Sequence, residues 1–77
     1  MPTVLKWKGW VFLFYSSDGD EPPHVHIRKD RNEIKIWLED CSIARNAGVK
    51  PHDAINLQKV VQQHKQEFLE AWHEYFG

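Results

Sequence analysis

The sequence predicts an α+β domain: a four-stranded antiparallel sheet built from two hairpins, a short helical turn, and one long C-terminal helix packed on the sheet. Three observations predict it. The first half of the chain is rich in β-branched and aromatic residues, in short runs broken by turn residues. The second half places apolar residues at helical spacing. The length, 77 residues, makes a single domain, 1–77.

The elements follow in order. Thr3 to Trp7 and Trp10 to Ser16 read as strands around Lys8-Gly9, a pair suited to a tight hairpin turn. Ser17, Asp18, Gly19, Asp20, Glu21, Pro22 and Pro23 form a loop of turn-favouring residues. His24 to Lys29 and Glu33 to Glu39 read as a second hairpin around Asp30-Arg31-Asn32. Ser42 to Ala47 reads as a short helix ended by Gly48 in a left-handed conformation. Pro51 suits the first position of the long helix, with Asp53 in its first turn. From there Ala54, Leu57, Val61, Phe68, Trp72 and Tyr75 recur on one face. A helix of about 24 residues is roughly 36 Å long. That exceeds the width of four strands at about 4.8 Å each, so Trp72, Tyr75 and Phe76 are expected to overhang toward a partner.

Alternation assigns the faces of the second hairpin. Val25, Ile27, Ile34, Ile36 and Leu38 point to the core. His24, His26, Arg28, Glu33, Lys35, Trp37 and Glu39 take the other side, in polar company. In the first hairpin, Trp7, Trp10, Phe12 and Phe14 are expected against Phe68 and Trp72, which leaves Val11, Leu13 and Tyr15 on the uncovered face beside His24 and Trp37. Apolar and aromatic groups left uncovered mark an interaction site.

Composition narrows the classes of function. A net charge of −1 gives no global footprint for nucleic acid, although Arg28, Lys29, Arg31 and Lys35 make a local basic cluster. The single cysteine, Cys41, forms no intrachain disulfide, which fits a reducing compartment. The start lacks a signal-peptide pattern, and no apolar run is long enough to span a bilayer, so a cytoplasmic protein without membrane contact is expected.

The stretch EPPHVHI carries the most chemistry. Residues i and i+2 of a strand project from one face about 6.5 Å apart, so His24 and His26 can converge on one ion. Zinc needs further donors, and Glu21, Asp20, Glu33 and Cys41 are the candidates. No cofactor is required by the sequence; a divalent metal is compatible with it. Histidine also titrates near neutrality, so His24 or His26 could serve as acid or base in a small nuclease acting on RNA or DNA, with Arg28 and Lys35 on the phosphate. A third pattern lies in 42–57, where a helix, a glycine and a second helix are reminiscent of a helix-turn-helix. There Lys50, His52 and Asn56 would meet bases and Arg45 a phosphate.

MPTVL with the KGWVFLFYSS strand, EPPHVHI, and IARNAG before a helix ending EYFG together resemble a bacterial family of short proteins, the domain of unknown function DUF4160. The Pro-Pro-His-x-His stretch is the most specific part, and Asp40-Cys41-Ser42 departs mildly from the family pattern. The resemblance implies a small β-then-α domain and a gene beside another small protein, in arrangements like toxin–antitoxin pairs. It implies no established reaction.

The leading expectation is a binding or regulatory module, one member of such a pair. It would work through a face formed by Tyr15, His24, His26, Arg28, Lys35 and Trp37 and engage the neighbouring gene's small product. A homodimer and nucleic-acid binding are the other partner options. A nuclease and a DNA-binding 42–57 segment are the competing functions.

Overall fold

The computed structural model describes residues 2–77 and shows an α+β domain with five strands and two helices. The strands β1 (Thr3–Trp7), β2 (Trp10–Leu13), β3 (His24–Lys29), β4 (Asn32–Trp37) and β5 (Ile43–Ala47) form one antiparallel meander in chain order. The helices α1 (Pro51–Gln63) and α2 (Lys65–Phe76) follow, and a short 3₁₀ turn spans Ser16–Asp20. Among the described residues, no helix is long and apolar enough to cross a membrane.

Both hairpins form where alternation places them. Lys8 and Gly9 have φ of 50° and 84°, the positive pair that matches strand twist in a two-residue turn. Val25 pairs with Ile36 and Ile27 with Ile34, and all four are fully buried. Phe12 faces Phe68 with ring centroids 5.8 Å apart, and Phe14 meets Trp72 edge-on at 5.2 Å. Trp7, expected inside, is only half-buried.

The expected four-stranded sheet is corrected to five. Ser42–Ala47 does not form a helix; residues 43–47 add β5 to the open edge of β4. The turn that returns the chain is local. Cys41 takes φ 60°, its N–H donates to the Trp37 carbonyl at 2.9 Å, and Asp40 Oδ1 accepts from both the Ser42 amide and hydroxyl. The Trp37 amide then donates to Ser42 O at 2.9 Å, which starts the ladder. An unpaired edge offers a row of backbone partners that a lone six-residue helix does not. The helix-turn-helix reading of 42–57 therefore loses its first helix. Lys50, His52 and Asn56 lie only at the start of α1.

The single long helix is likewise corrected to two. At about 1.5 Å per residue a continuous helix from Pro51 to Phe76 would run about 39 Å, whereas the longest axis of the domain is 33 Å. The break falls at His64 (φ −106°, ψ 11°), whose amide donates to both Val60 O and Val61 O. No proline or glycine marks it in the sequence. The aromatic overhang does not occur either. Trp72 is buried against Phe14 and His24, Phe76 packs on Trp72 at 4.3 Å, and of the three only Tyr75 is exposed.

Gly48, the predicted left-handed residue, does adopt φ +89°, though at the end of β5 rather than of a helix. A Cβ there would sit 2.6 Å from Asn32 Oδ1. Gly48→Ala is expected to cost about 1–3 kcal/mol, from left-handed strain and displacement of the Asn32 amide. Urea denaturation reads this directly, and an unchanged midpoint would refute it.

Candidate functional site

β3 begins directly after Pro22-Pro23, both in trans peptide linkages. Its first residues alternate Val25 and Ile27 inward with His24 and His26 toward the other face. That face is not open where the histidines stand. His24 is fully buried and His26 is 8% exposed, and the neighbouring Leu13, paired with His26, is buried as well. This corrects the solvent-facing strand and the uncovered Leu13 that alternation suggests. The cause is the Ser16–Asp20 turn, which folds back so that Asp18 reaches both imidazoles. The Tyr15 amide donates to Asp18 Oδ2 at 2.8 Å and aims the carboxylate inward. At Gly19 the turn packs closely on the Phe76 ring of α2.

The resulting cluster is compact. Asp18 Oδ1 lies 3.2 Å from His24 Nε2, and Asp18 Oδ2 lies 3.1 Å from His26 Nε2. Each of the three residues offers one donor atom, and all three atoms lie within 4.8 Å of one another. Of the remaining ring nitrogens, only that of His24 is hydrogen-bonded, while His26 Nδ1 is buried without a hydrogen-bond partner among the described residues. His24 Nδ1 donates to Pro22 O at 2.9 Å, and His26 Nδ1 is 3.3 Å from Glu33 Oε2. The His24 ring is wedged edge-on against Trp37 (5.5 Å) and His26 (5.0 Å) and tilted against Trp72 (5.1 Å).

Around the cluster lies a more accessible ring of polar side chains. The Tyr15 hydroxyl donates to Glu33 Oε1 at 2.9 Å, and Arg28 Nε is 3.4 Å from the same oxygen. Lys35 pairs with Glu21 and sits over the Trp37 ring at 4.7 Å. Burial raises the Asp18 carboxyl pKa, but the Tyr15 amide and the adjacent histidines outweigh it and hold the group below its ordinary value. Burial, then the acceptor Glu33, pushes the Tyr15 phenol up. The Lys35 ammonium lowers Glu21.

The expected residues thus divide. Tyr15, His24, His26, Arg28, Lys35 and Trp37 are brought together, but the histidines lie beneath the others. Glu21, expected as a ligand, lies 3.8 Å from His24 Nδ1 and is engaged by Lys35, so it stands outside the converging donors. Cys41 is buried in the turn before β5, and its carbonyl accepts from Gln58. Asp18 was not singled out by spacing, although an aspartate three residues after Tyr15 is a turn-closing position that an Asx-type reading could flag.

Fold and site define a small α+β domain with a histidine–carboxylate cluster enclosed between its sheet and a 3₁₀ turn. The chain belongs to the family described as Domain of unknown function (DUF4160), whose sequence model matches residues 9–73. No curated protein and no solved structure matches it.

Proposed function

We propose that this domain is a binding module that takes an acidic segment of a protein partner on the outer face of its sheet. The observation that supports this reading is a like-charge pair: Lys35 and Arg45 stand directly opposite each other on β4 and β5. Like charges directly opposite destabilise a sheet, and an anionic partner relieves them. The register aligns Lys6, Val11, Arg28 and Glu33 across the same face, which gives four cations against Glu21 and Glu33. Lys6 and Arg45 have no ion-pair partner among the described residues. Tyr15 and Trp37, both half-buried, add aromatic surface beside them.

A protein partner suits this face better than nucleic acid. Tight duplex binders neutralise about 6–10 phosphates, and here two of the four cations already have carboxylates. A pairing with the small product of an adjacent gene, in a toxin–antitoxin-like arrangement, is the same reading carried to a partner. The test is co-expression with that product and measurement of the complex. Arg45→Glu should reduce partner affinity at least tenfold. It should also stabilise the free domain by about 0.2–1 kcal/mol, because it sets opposite charges across the strands. Undiminished binding by Arg45→Glu, or binding of a single-stranded oligonucleotide in place of the protein, would sink the proposal.

A further inference from the structure

We infer that Asp18, His24 and His26 form a binding site for one divalent first-row transition-metal ion, of the zinc type. The argument starts from the protons. The Pro22 carbonyl can only accept, so His24 Nδ1 carries its hydrogen and the neutral ring leaves a bare lone pair on Nε2. That nitrogen is buried, has no hydrogen-bond partner, and lies 3.2 Å from a carboxylate oxygen. Two acceptors at that distance repel unless a cation lies between them.

A proton on Nε2 does not resolve the contact, because the geometry is not aligned for N–H donation to Asp18. A metal does. Two ligands of one ion direct their lone pairs at the ion, not at each other, so their mutual contact is close and off-line. The distances agree. With zinc–ligand bonds of about 2.0–2.1 Å in a tetrahedron, the donor–donor edge is about 3.3 Å. The two edges from the single oxygen Asp18 Oδ1 are 3.2 Å to His24 Nε2 and 3.3 Å to His26 Nε2.

The surrounding groups are those a metal site uses. Metal-ligating histidines give their second nitrogen to a carbonyl or carboxylate, which fixes the ring and its tautomer. His24 uses Pro22 O in this way, and His26 Nδ1 has Glu33 Oε2 at 3.3 Å. Glu33 is itself steadied by Tyr15 and Arg28. His26 lies between two carboxylates, and a neutral imidazole has only one N–H to divide between them. With the hydrogen on Nε2, His26 donates to Asp18 Oδ1 at 3.3 Å and its buried Nδ1 is left without a hydrogen-bond partner; an ion that takes the Nε2 lone pair shifts that hydrogen to Nδ1, which faces Glu33 Oε2 at 3.3 Å.

The donor set names the class. Two imidazoles and one carboxylate suit zinc, iron, cobalt or manganese, whereas magnesium prefers oxygen alone. Three protein ligands leave a position for water. The ion would tie the Ser16–Asp20 turn to β3, and a staple of this kind is a common source of stability in domains this small.

The experiment is titration of chelator-treated protein with zinc and cobalt chlorides, with magnesium as the control. We expect one zinc per chain at micromolar affinity or better and none for magnesium. Cobalt should give a visible absorption band, and the His24 and His26 Nε2 resonances should shift together while the His24 Nδ1 proton persists. Asp18→Asn and His26→Gln should each weaken zinc at least tenfold, while exposed His52→Gln and His73→Gln leave it unchanged. Far-UV circular dichroism checks that the variants fold; should they fail, wild-type stoichiometry and ring resonances decide. No zinc binding, ring resonances unmoved at saturation, or loss of binding on the exposed-histidine substitutions instead, would each overturn the assignment.

Discussion

Phe68→Ala is expected to destabilise this domain by about 3–5 kcal/mol, enough to unfold a large share of the population. Phe68 is 1% exposed on α2. Its ring packs on Phe12 from β2 at 5.8 Å and stacks on His64 at 5.7 Å, with an interplanar angle of 18°. One side chain therefore joins the second helix, the sheet and the break between the helices. The alanine variant leaves a void between the Phe12 and His64 rings. A small domain has correspondingly little stability to lose. Urea denaturation followed by tryptophan fluorescence measures the loss. A cost below about 1 kcal/mol would mean that α2 is not held by this contact.

His24→Ala is expected to cost about 2–5 kcal/mol, for a different reason. Its ring is fully buried and packs against Trp37, Trp72 and His26. Removing it opens a void at the start of β3, strips Pro22 O of its donor and leaves Asp18 with one imidazole. The variant should also lose any rise in melting temperature that zinc gives the parent. At a metal concentration of about 100 Kd, that rise corresponds to about 2.7 kcal/mol. Comparing melting curves with and without zinc separates the two effects, since the packing loss persists in chelator and the metal effect does not. A variant as stable as the parent in chelator would show that His24 is not a packing element. The same curves also bear on Gly48→Ala and Arg45→Glu, for which opposite signs are expected.

Much of the architecture could be read from local pattern. Alternation through Val25, Ile27, Ile34, Ile36 and Leu38 identifies the inner face because period two admits only one assignment once one side must be apolar. Lys8-Gly9 identifies its hairpin because few residue pairs accept two positive φ angles. The spacing of Ala54, Leu57, Val61, Phe68, Trp72 and Tyr75 identifies the buried helical stripe for all but Tyr75, which is exposed. The shared face of His24 and His26 follows from the same period.

Tertiary structure decided the rest. Ser42–Ala47 is weakly biased locally, and the open edge of β4 decides that it becomes a strand, a demand that no window of sequence contains. The break at His64 carries no proline or glycine, and it shows only in the folded chain, where the His64 amide is shared between Val60 O and Val61 O and its ring stacks on Phe68. The cluster shows the division best. Its histidines are visible in EPPHVHI, but its carboxylate lies on a turn whose position depends on a contact between Gly19 and Phe76, far apart in the chain. Whether a polar strand face meets water or a folded-back loop is a long-range question, and here the loop turns two surface histidines into buried ones.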